Sequence, residues 1–257
     1  MKKNIICDLD GVIMRDNELI EGANRFVDHV LNNGYKLLFL TNYSSQTPID
    51  LKSRLSIAGL DVPQELFYTS AMATAAFLEK QEGRRAYVIG EGGLTHELYN
   101  IGFMITDTNP DYVIVGESQS YNMEMIQKAS HLINQGARFI ATNPDVAGPK
   151  GKPSCGALCA PIQKITGREP FFIGKPNAWM MRAALNYMKA HSEDTMIIGD
   201  NMSTDILAGI QAGMDTILVL TGVSQREDLV MYPYLPSHIY DSIADIKIPK
   251  AKEYDRG

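Results

Sequence analysis

Long apolar runs are missing from this chain. None approaches the ~20 residues that a membrane-spanning helix requires, so no membrane partner is expected. Cysteine is scarce. Its three copies, Cys7, Cys155 and Cys159, cannot all pair with one another, which excludes a closed disulfide framework and suits a reducing compartment. Cys155 and Cys159 have the spacing of one helix face, but no histidine or second cysteine pair accompanies them. They read as small buried hydrophobes rather than zinc ligands. Basic charge is in deficit: 24 Lys and Arg stand against 30 Asp and Glu, a net charge of -6, whereas a surface that coats nucleic acid needs a basic face. An anionic substrate would need a local positive centre, such as a metal cation with one or two placed lysines. The opening MKKNIICDLD is too short and too soon acidic for a signal peptide, so the expected location is cytoplasmic. Solenoid repeats and low-complexity tracts are also lacking.

What the chain does have is a regular alternation. Eight strand-like runs, NIICDLD, KLLFLT, AYVIG, DYVIVG, RFIAT, PFFIG, TMIIGD and TILVLT, are near-continuous in Ile, Val and Leu, as parallel strands covered on both faces should be. Helical segments lie between them, with glycine stops at Gly34, Gly59, Gly83, Gly102, Gly136 and Gly213. Alternating strand and helix predicts an α/β fold with a doubly wound, mostly parallel sheet. The methionines of MEMIQ and WMMRAALNYM read as helical core, and His96, His131 and His191 show no ligand spacing. The charged tail KIPKAKEYDRG is expected to be peripheral.

In such a sheet, ligands bind beyond the carboxyl ends of the strands. The first strand ends there in two carboxylates, Asp8 and Asp10, which share a face if the strand stays extended. Alone they would repel each other and suffer desolvation. The same position lacks the G-x-G-x-x-G of a dinucleotide-binding fold. Later strand ends carry complementary groups: Thr41 and Asn42, Lys175 followed by Pro176 as a suitable first helical residue, and Asp200 with Asp205 about a turn beyond. Each has a plainer alternative. Thr41 and Asn42 would also cap a helix near Gln46 or Pro48, Lys175 would also suit the surface, and Asp200 would also serve as an N-cap.

D-x-D-G, Thr-Asn, Gly-Lys-Pro and G-D-N-x-x-x-D, in this order, resemble the four motifs of the haloacid dehalogenase-like phosphatases. The phrases LTNYSSQ, ATNPD, CGALCAPI, FFIGKP and VGE or IGE resemble the NagD family within them, whose members carry a large inserted cap. The resemblance implies a Rossmann-like core and a Mg2+-dependent phosphomonoesterase. Its substrate would be a small phosphorylated metabolite: a nucleoside 5'-monophosphate such as UMP or GMP, or alternatively a sugar phosphate or pyridoxal phosphate. It implies that Asp8 is the nucleophile and Asp10 the general acid and base. Thr41, Asn42 and Lys175 would bind the phosphoryl group. Asn201, Met202, Ser203 and Thr204 of the fourth motif would contact substrate. Asp8, Asp200 and the backbone carbonyl of Asp10 would ligate the metal, with Asp205 supporting them from behind. As an acid, Asp10 should stand away from dominating positive charge. Two non-enzyme alternatives, a receiver-like signalling domain and a catalytically silent nucleotide-binding protein, fit less well: Asp8 lies on the first strand rather than a middle one, and the motifs are intact.

The interval from Thr41 to Lys175 far exceeds the roughly 30 residues of one strand–helix–strand unit. Residues 84–170 are therefore expected to form an inserted α/β cap domain, and 1–83 with 171–257 the catalytic core. A cap would exclude bulk water and read the leaving group. The loop ATNPDVAGPKGKPSCGAL offers Asn143, Asp145, Lys150 and Lys152 for that reading, with Asn143 and Asp145 the candidates.

Overall fold

The computed structural model describes residues 3–148 and 151–248. Lys150 and the tail beyond Ile248, both singled out above, lie outside these residues. In chain order the elements are β1 (Asn4–Cys7), β2 (Met14–Arg15), β3 (Glu18–Leu19), α1 (Ala23–Asn32), β4 (Lys36–Thr41), α2 (Pro48–Ile57), β5 (Phe67–Thr69), α3 (Ser70–Leu78), β6 (Arg85–Ile89), α4 (Gly92–Asn100), β7 (Met104–Ile105), β8 (Tyr112–Val115), α5 (Met123–Asn134), β9 (Arg138–Ala141), α6 (Cys155–Thr166), β10 (Phe171–Phe172), α7 (Ala178–Met188), β11 (Thr195–Gly199), α8 (Leu207–Gln211), β12 (Asp215–Val219) and β13 (His238–Tyr240). All eight expected runs contain strands, and the six stop glycines all adopt positive φ.

The chain divides into two compact units. The first comprises Met1–Thr41, Pro48–Tyr68 and Met181–Gly257. Its sheet has the order β13-β12-β11-β1-β4-β5, and β13, β12, β11, β1 and β4 run parallel. β1 lies between β4 and β11, with Cys7 opposite Phe39 on one side and Ile198 on the other. The chain winds outward from β1 in both directions, so the end of β1 is a topological switch point, where doubly wound sheets open a crevice. α1 packs on this sheet because Ala23, Phe26, Val27 and Val30 fall on one face at helical spacing.

The second unit comprises Asn42–Thr47 and Thr69–Met180, with an all-parallel sheet in the order β10-β9-β8-β6-β7. Ile126, Ala129, Leu132 and Ile133 of α5 join Val113, Val115, Phe139 and Ala141 in its core. Cys155 and Cys159 are buried in the same cluster, and no disulfide forms. A hydrogen bond with Cys155, then burial, holds the Cys159 thiol well above its usual pKa, so it behaves as the small hydrophobe expected. Met180 and Met181 are buried as core residues, whereas Met123 is exposed.

The division differs from the expected boundaries at 84 and 170. Residues 69–83 and 171–180 group with the second unit. The reason is aromatic: Phe77 of α3 stacks on Phe171 at 5.1 Å and meets Trp179 edge-on at 5.4 Å, and the Trp179 indole N–H donates to the Ala73 carbonyl. Pro176 does not open α7 either. The helix begins at Ala178, and Asn177 caps it by accepting the Trp179 N–H at 2.8 Å.

Candidate active site

Asp8 directly follows β1, and its N–H extends the ladder to the Ile198 carbonyl at 2.9 Å. Asp200 follows the neighbouring strand β11, and Asp205 lies in the π-helical turn Met202–Ile206. Carboxylate oxygens of Asp8, Asp200 and Asp205 all lie within 4.8 Å of one another. Asp200 is 3% exposed and Asp205 fully buried. Asp200 is not the N-cap of the turn: Asn201 takes that place, its side chain accepting from Ser203 N–H. The Asp200 carboxylate accepts instead from Val223 N–H at 2.7 Å, while Ser224 N–H donates to its carbonyl. Two glycines close around it. A Cβ on Gly222 would stand 2.5 Å from Asp200 Cγ, and one on Gly11, whose φ of +85° suits glycine, 2.6 Å. Asp205 in turn accepts from Asn201 N–H at 3.2 Å. Hard oxygen donors, two of them buried, at one strand-end crevice fit a divalent cation.

Asp10 is placed differently from expectation. Its Oδ1 accepts from the Arg54 guanidinium at 2.7 Å, so it does not stand away from positive charge. The partner comes from α2, an element no motif touches. Thr41, the last residue of β4, is buried. α2 starts at Pro48, too far along for Thr41 or Asn42 to cap it. Met202, expected to contact substrate, is fully buried and packs with Ile206 and Leu218. Ser203 is exposed and its hydroxyl lies 3.0 Å from that of Tyr232.

In the second unit a polar network joins Asn42, Ser44, Glu117, Asn143, Asp145, Ser154 and Lys175. Asn42 Nδ2 donates to Asp145 Oδ2 at 2.9 Å and to the Lys175 carbonyl at 3.0 Å, and its Oδ1 accepts from Lys175 N–H at 2.8 Å. Both amide donors are spent on protein, and the side chain of Asn42 braces Lys175. Lys175 is 2% exposed, which excludes the surface-lysine alternative. Asn143 is fully buried; its Nδ2 donates to the Asn42 carbonyl and to Glu117, and its Oδ1 accepts from Asp145 N–H. The donors and the acceptor of this side chain, expected to read the leaving group, are engaged within the second unit. Asp145 is half-buried and engaged with Asn42. Glu117, the acidic residue of VGE, has no role legible in the sequence. Its carboxylate accepts from Ser44 N–H and Oγ, Asn143 and Ser154.

Residues 5–104 match the Haloacid dehalogenase-like hydrolase family, and residues 172–246 a HAD-hydrolase-like family. Ribonucleotide monophosphatase NagD of Escherichia coli K12 is 59% identical over 96% of this chain and 98% of that protein. The chain belongs to the haloacid dehalogenase-like hydrolases, in the NagD family. The solved structure of NagD from E. coli K-12 matches with a TM-score of 0.93 over 96% of this chain and 98% of that one. Two further relatives carry other names. Dihydroxyacetone phosphatase of Corynebacterium glutamicum is 48% identical over 94% of this chain and 89% of that protein. 5'-Nucleotidase YutF of Bacillus subtilis is 37% identical over 95% and 96%. Among the described residues no helix is long and apolar enough to cross a membrane.

Proposed function

We propose that this NagD-family hydrolase is a Mg2+-dependent phosphomonoesterase that hydrolyses ribonucleoside 5'-monophosphates. The observation that carries the chemistry is the grouping of Asp8, Asp200 and Asp205 at the switch point of the sheet, with Asp10 two residues beyond Asp8. Asp8 is the nucleophile: its carboxylate attacks phosphorus, an aspartyl-phosphate forms, and the ester oxygen departs. Asp10 gives that oxygen a proton, then takes one from the water that releases phosphate. Asp8 and Asp200 would hold the cation, with the Asp10 carbonyl as a further ligand and Asp205 in the same carboxylate group. When bound, the ion neutralises developing charge on the phosphoryl oxygens. Thr41, the Asn42 backbone and Lys175 are assigned to those oxygens as hydroxyl, amide and ammonium donors. Choice among esters is assigned to the second unit.

The nucleotide preference follows the relative at 59% identity; the relative at 48% favours a small sugar-type phosphate as the second reading. A panel of nucleoside monophosphates, dihydroxyacetone phosphate, hexose phosphates and pyridoxal phosphate decides between them by kcat/KM. Asp8→Asn, nearly isosteric and non-nucleophilic, should abolish turnover of every ester while the protein stays folded. Near-normal turnover by that folded variant would sink the assignment.

A further inference from the structure

Arg54 lies on α2, outside every motif, yet it meets Asp10 directly. Its Nη2 donates to Asp10 Oδ1 at 2.7 Å, and its Nε donates to Asn17 Oδ1 at 3.0 Å. Asn17, at a φ of +71°, belongs to the turn between β2 and β3, the hairpin that follows Gly11. The guanidinium is thus fixed on two sides. Its side chain is 19% exposed and that of Asp10 27%, so the pair is partly withdrawn from solvent and is not an ordinary surface ion pair. A planar guanidinium held at two edges has little freedom to wander. It engages one oxygen of Asp10; the other, Oδ2, has no hydrogen bond to it.

We infer that Arg54 is a positioning residue that divides the labour of the two Asp10 oxygens. The guanidinium favours the ionised carboxyl, so Arg54 does not help Asp10 hold its proton; it fixes Oδ1 as an acceptor and leaves Oδ2 as the oxygen that bears the proton. Oδ2 carries the proton, gives it to the departing ester oxygen as the P–O bond breaks, and later receives one from the attacking water. A carboxylic acid accepts through its carbonyl oxygen while donating through its hydroxyl, so both tasks coexist on one side chain. Without Arg54 the Asp10 carboxyl can rotate, and the proton leaves its line to the ester oxygen. Misorientation of this kind costs rate in proportion to the need for the proton. The inference rests on the phosphatase reading of Asp10 given above.

The experiment measures single-turnover phosphorylation of the enzyme by a ribonucleoside 5'-monophosphate and by p-nitrophenyl phosphate, in Arg54→Met, Arg54→Lys, Asp10→Asn and the Arg54→Met/Asp10→Asn double variant. A ribose alkoxide needs the proton; a nitrophenolate leaves with little help. Arg54→Met should slow the nucleotide reaction roughly 10–100-fold, part of the ~100–10,000-fold that a general acid contributes. It should slow the aryl reaction only a few-fold, with KM little changed. The double variant should be no slower than Asp10→Asn alone, because an effect transmitted through Asp10 vanishes when Asp10 has no proton to give. Arg54→Lys should recover part of the nucleotide rate, and it carries the same nucleotide-to-aryl comparison should Arg54→Met fail to fold. Equal slowing of both substrates, or losses that multiply in the double variant, would overturn the inference while leaving Asp10 as the acid. Nucleotide phosphorylation undiminished in Asp10→Asn would instead remove the reading of Asp10, and this inference with it.

Discussion

Asn42 gives the sharpest test of how the second unit is built. Asn42→Ala removes three hydrogen bonds, two donated and one accepted, of 2.8 to 3.0 Å. At about 1 kcal/mol net for each, the loss is about 3 kcal/mol, and leaving the Lys175 N–H unpartnered in a buried setting adds to it. For a unit of this size that lowers the melting temperature by on the order of 10 °C. Asn42→Asp is the more telling substitution. It keeps the shape and the acceptor for Lys175 N–H, but it turns two donors into an oxygen facing Asp145 Oδ2 and the Lys175 carbonyl. Two carboxylates about 3 Å apart repel by roughly 5 kcal/mol at an effective dielectric of 20, so they ionise together only at large cost. Their shared proton is then held more tightly in the folded than in the unfolded protein. A folded pKa raised in this way favours the fold at low pH, and that advantage is lost as pH rises through the raised value. The deficit of Asn42→Asp should therefore be severe at neutral pH and narrow below about pH 5, whereas the deficit of Asn42→Ala should lack this trend. The assay is calorimetric melting across pH, beside the inhibition constant for inorganic phosphate. If Asn42→Ala melts like the parent and loses only its affinity for phosphate, the side chain is a phosphate ligand and the brace is wrong.

Removal of divalent ions with EDTA should abolish turnover and Mg2+ should restore it; Mg2+ should also raise the melting temperature of the parent but not of Asp200→Ala, and full activity in metal-free buffer would refute the metal assignment. Gly222→Ala should displace the Asp200 carboxylate, because the added Cβ overlaps it. Overpacking of about 1–3 kcal/mol and the lost Val223 N–H bond of about 1.5–3 kcal/mol together predict a weakened Mg2+-dependent thermal shift and at least a tenfold fall in kcat; an unchanged shift would show that Asp200 does not need this seat.

The sequence carried the strands and the positions of the chemistry further than it carried the contacts. Runs such as KLLFLT and TMIIGD are apolar on both faces and could be read without a partner. Asp8, Asp200 and Asp205 could be placed together because the carboxyl ends of parallel strands lie at one edge whatever the side chains do. The short elements had no such signal: β2, β3, β7 and β13 span two or three residues, too few for a period to declare itself. Arg54 was invisible for another reason. Its partner lies 44 residues away, and nothing in PIDLKSRLSI marks one basic residue above another. At Asn143 the sequence leaves the role open, because a polar residue after a strand end is common to ligand contacts and to internal braces. Only the number of donors and acceptors around it separates the two.

Counting donors and acceptors also explains why residue 42 is an asparagine. The position must offer two N–H groups, to a carboxylate and a carbonyl, and accept one N–H, all from one plane. Aspartate lacks the donors, serine has only one, and glutamine has the right amide on a longer stem. Asn143 answers the same demand one step away, donating to the Asn42 carbonyl and Glu117 while accepting from Asp145. Glu117 needs only acceptors, and four donors converge on it. Each member thus consumes what its neighbour supplies. In a buried network of this kind, deleting one group strands its partners without water to replace it. The Thr41–Asn42 dipeptide, uniform as a motif, accordingly holds two different assignments: Thr41 ends a strand of the first unit, and the side chain of Asn42 belongs to the brace of the second.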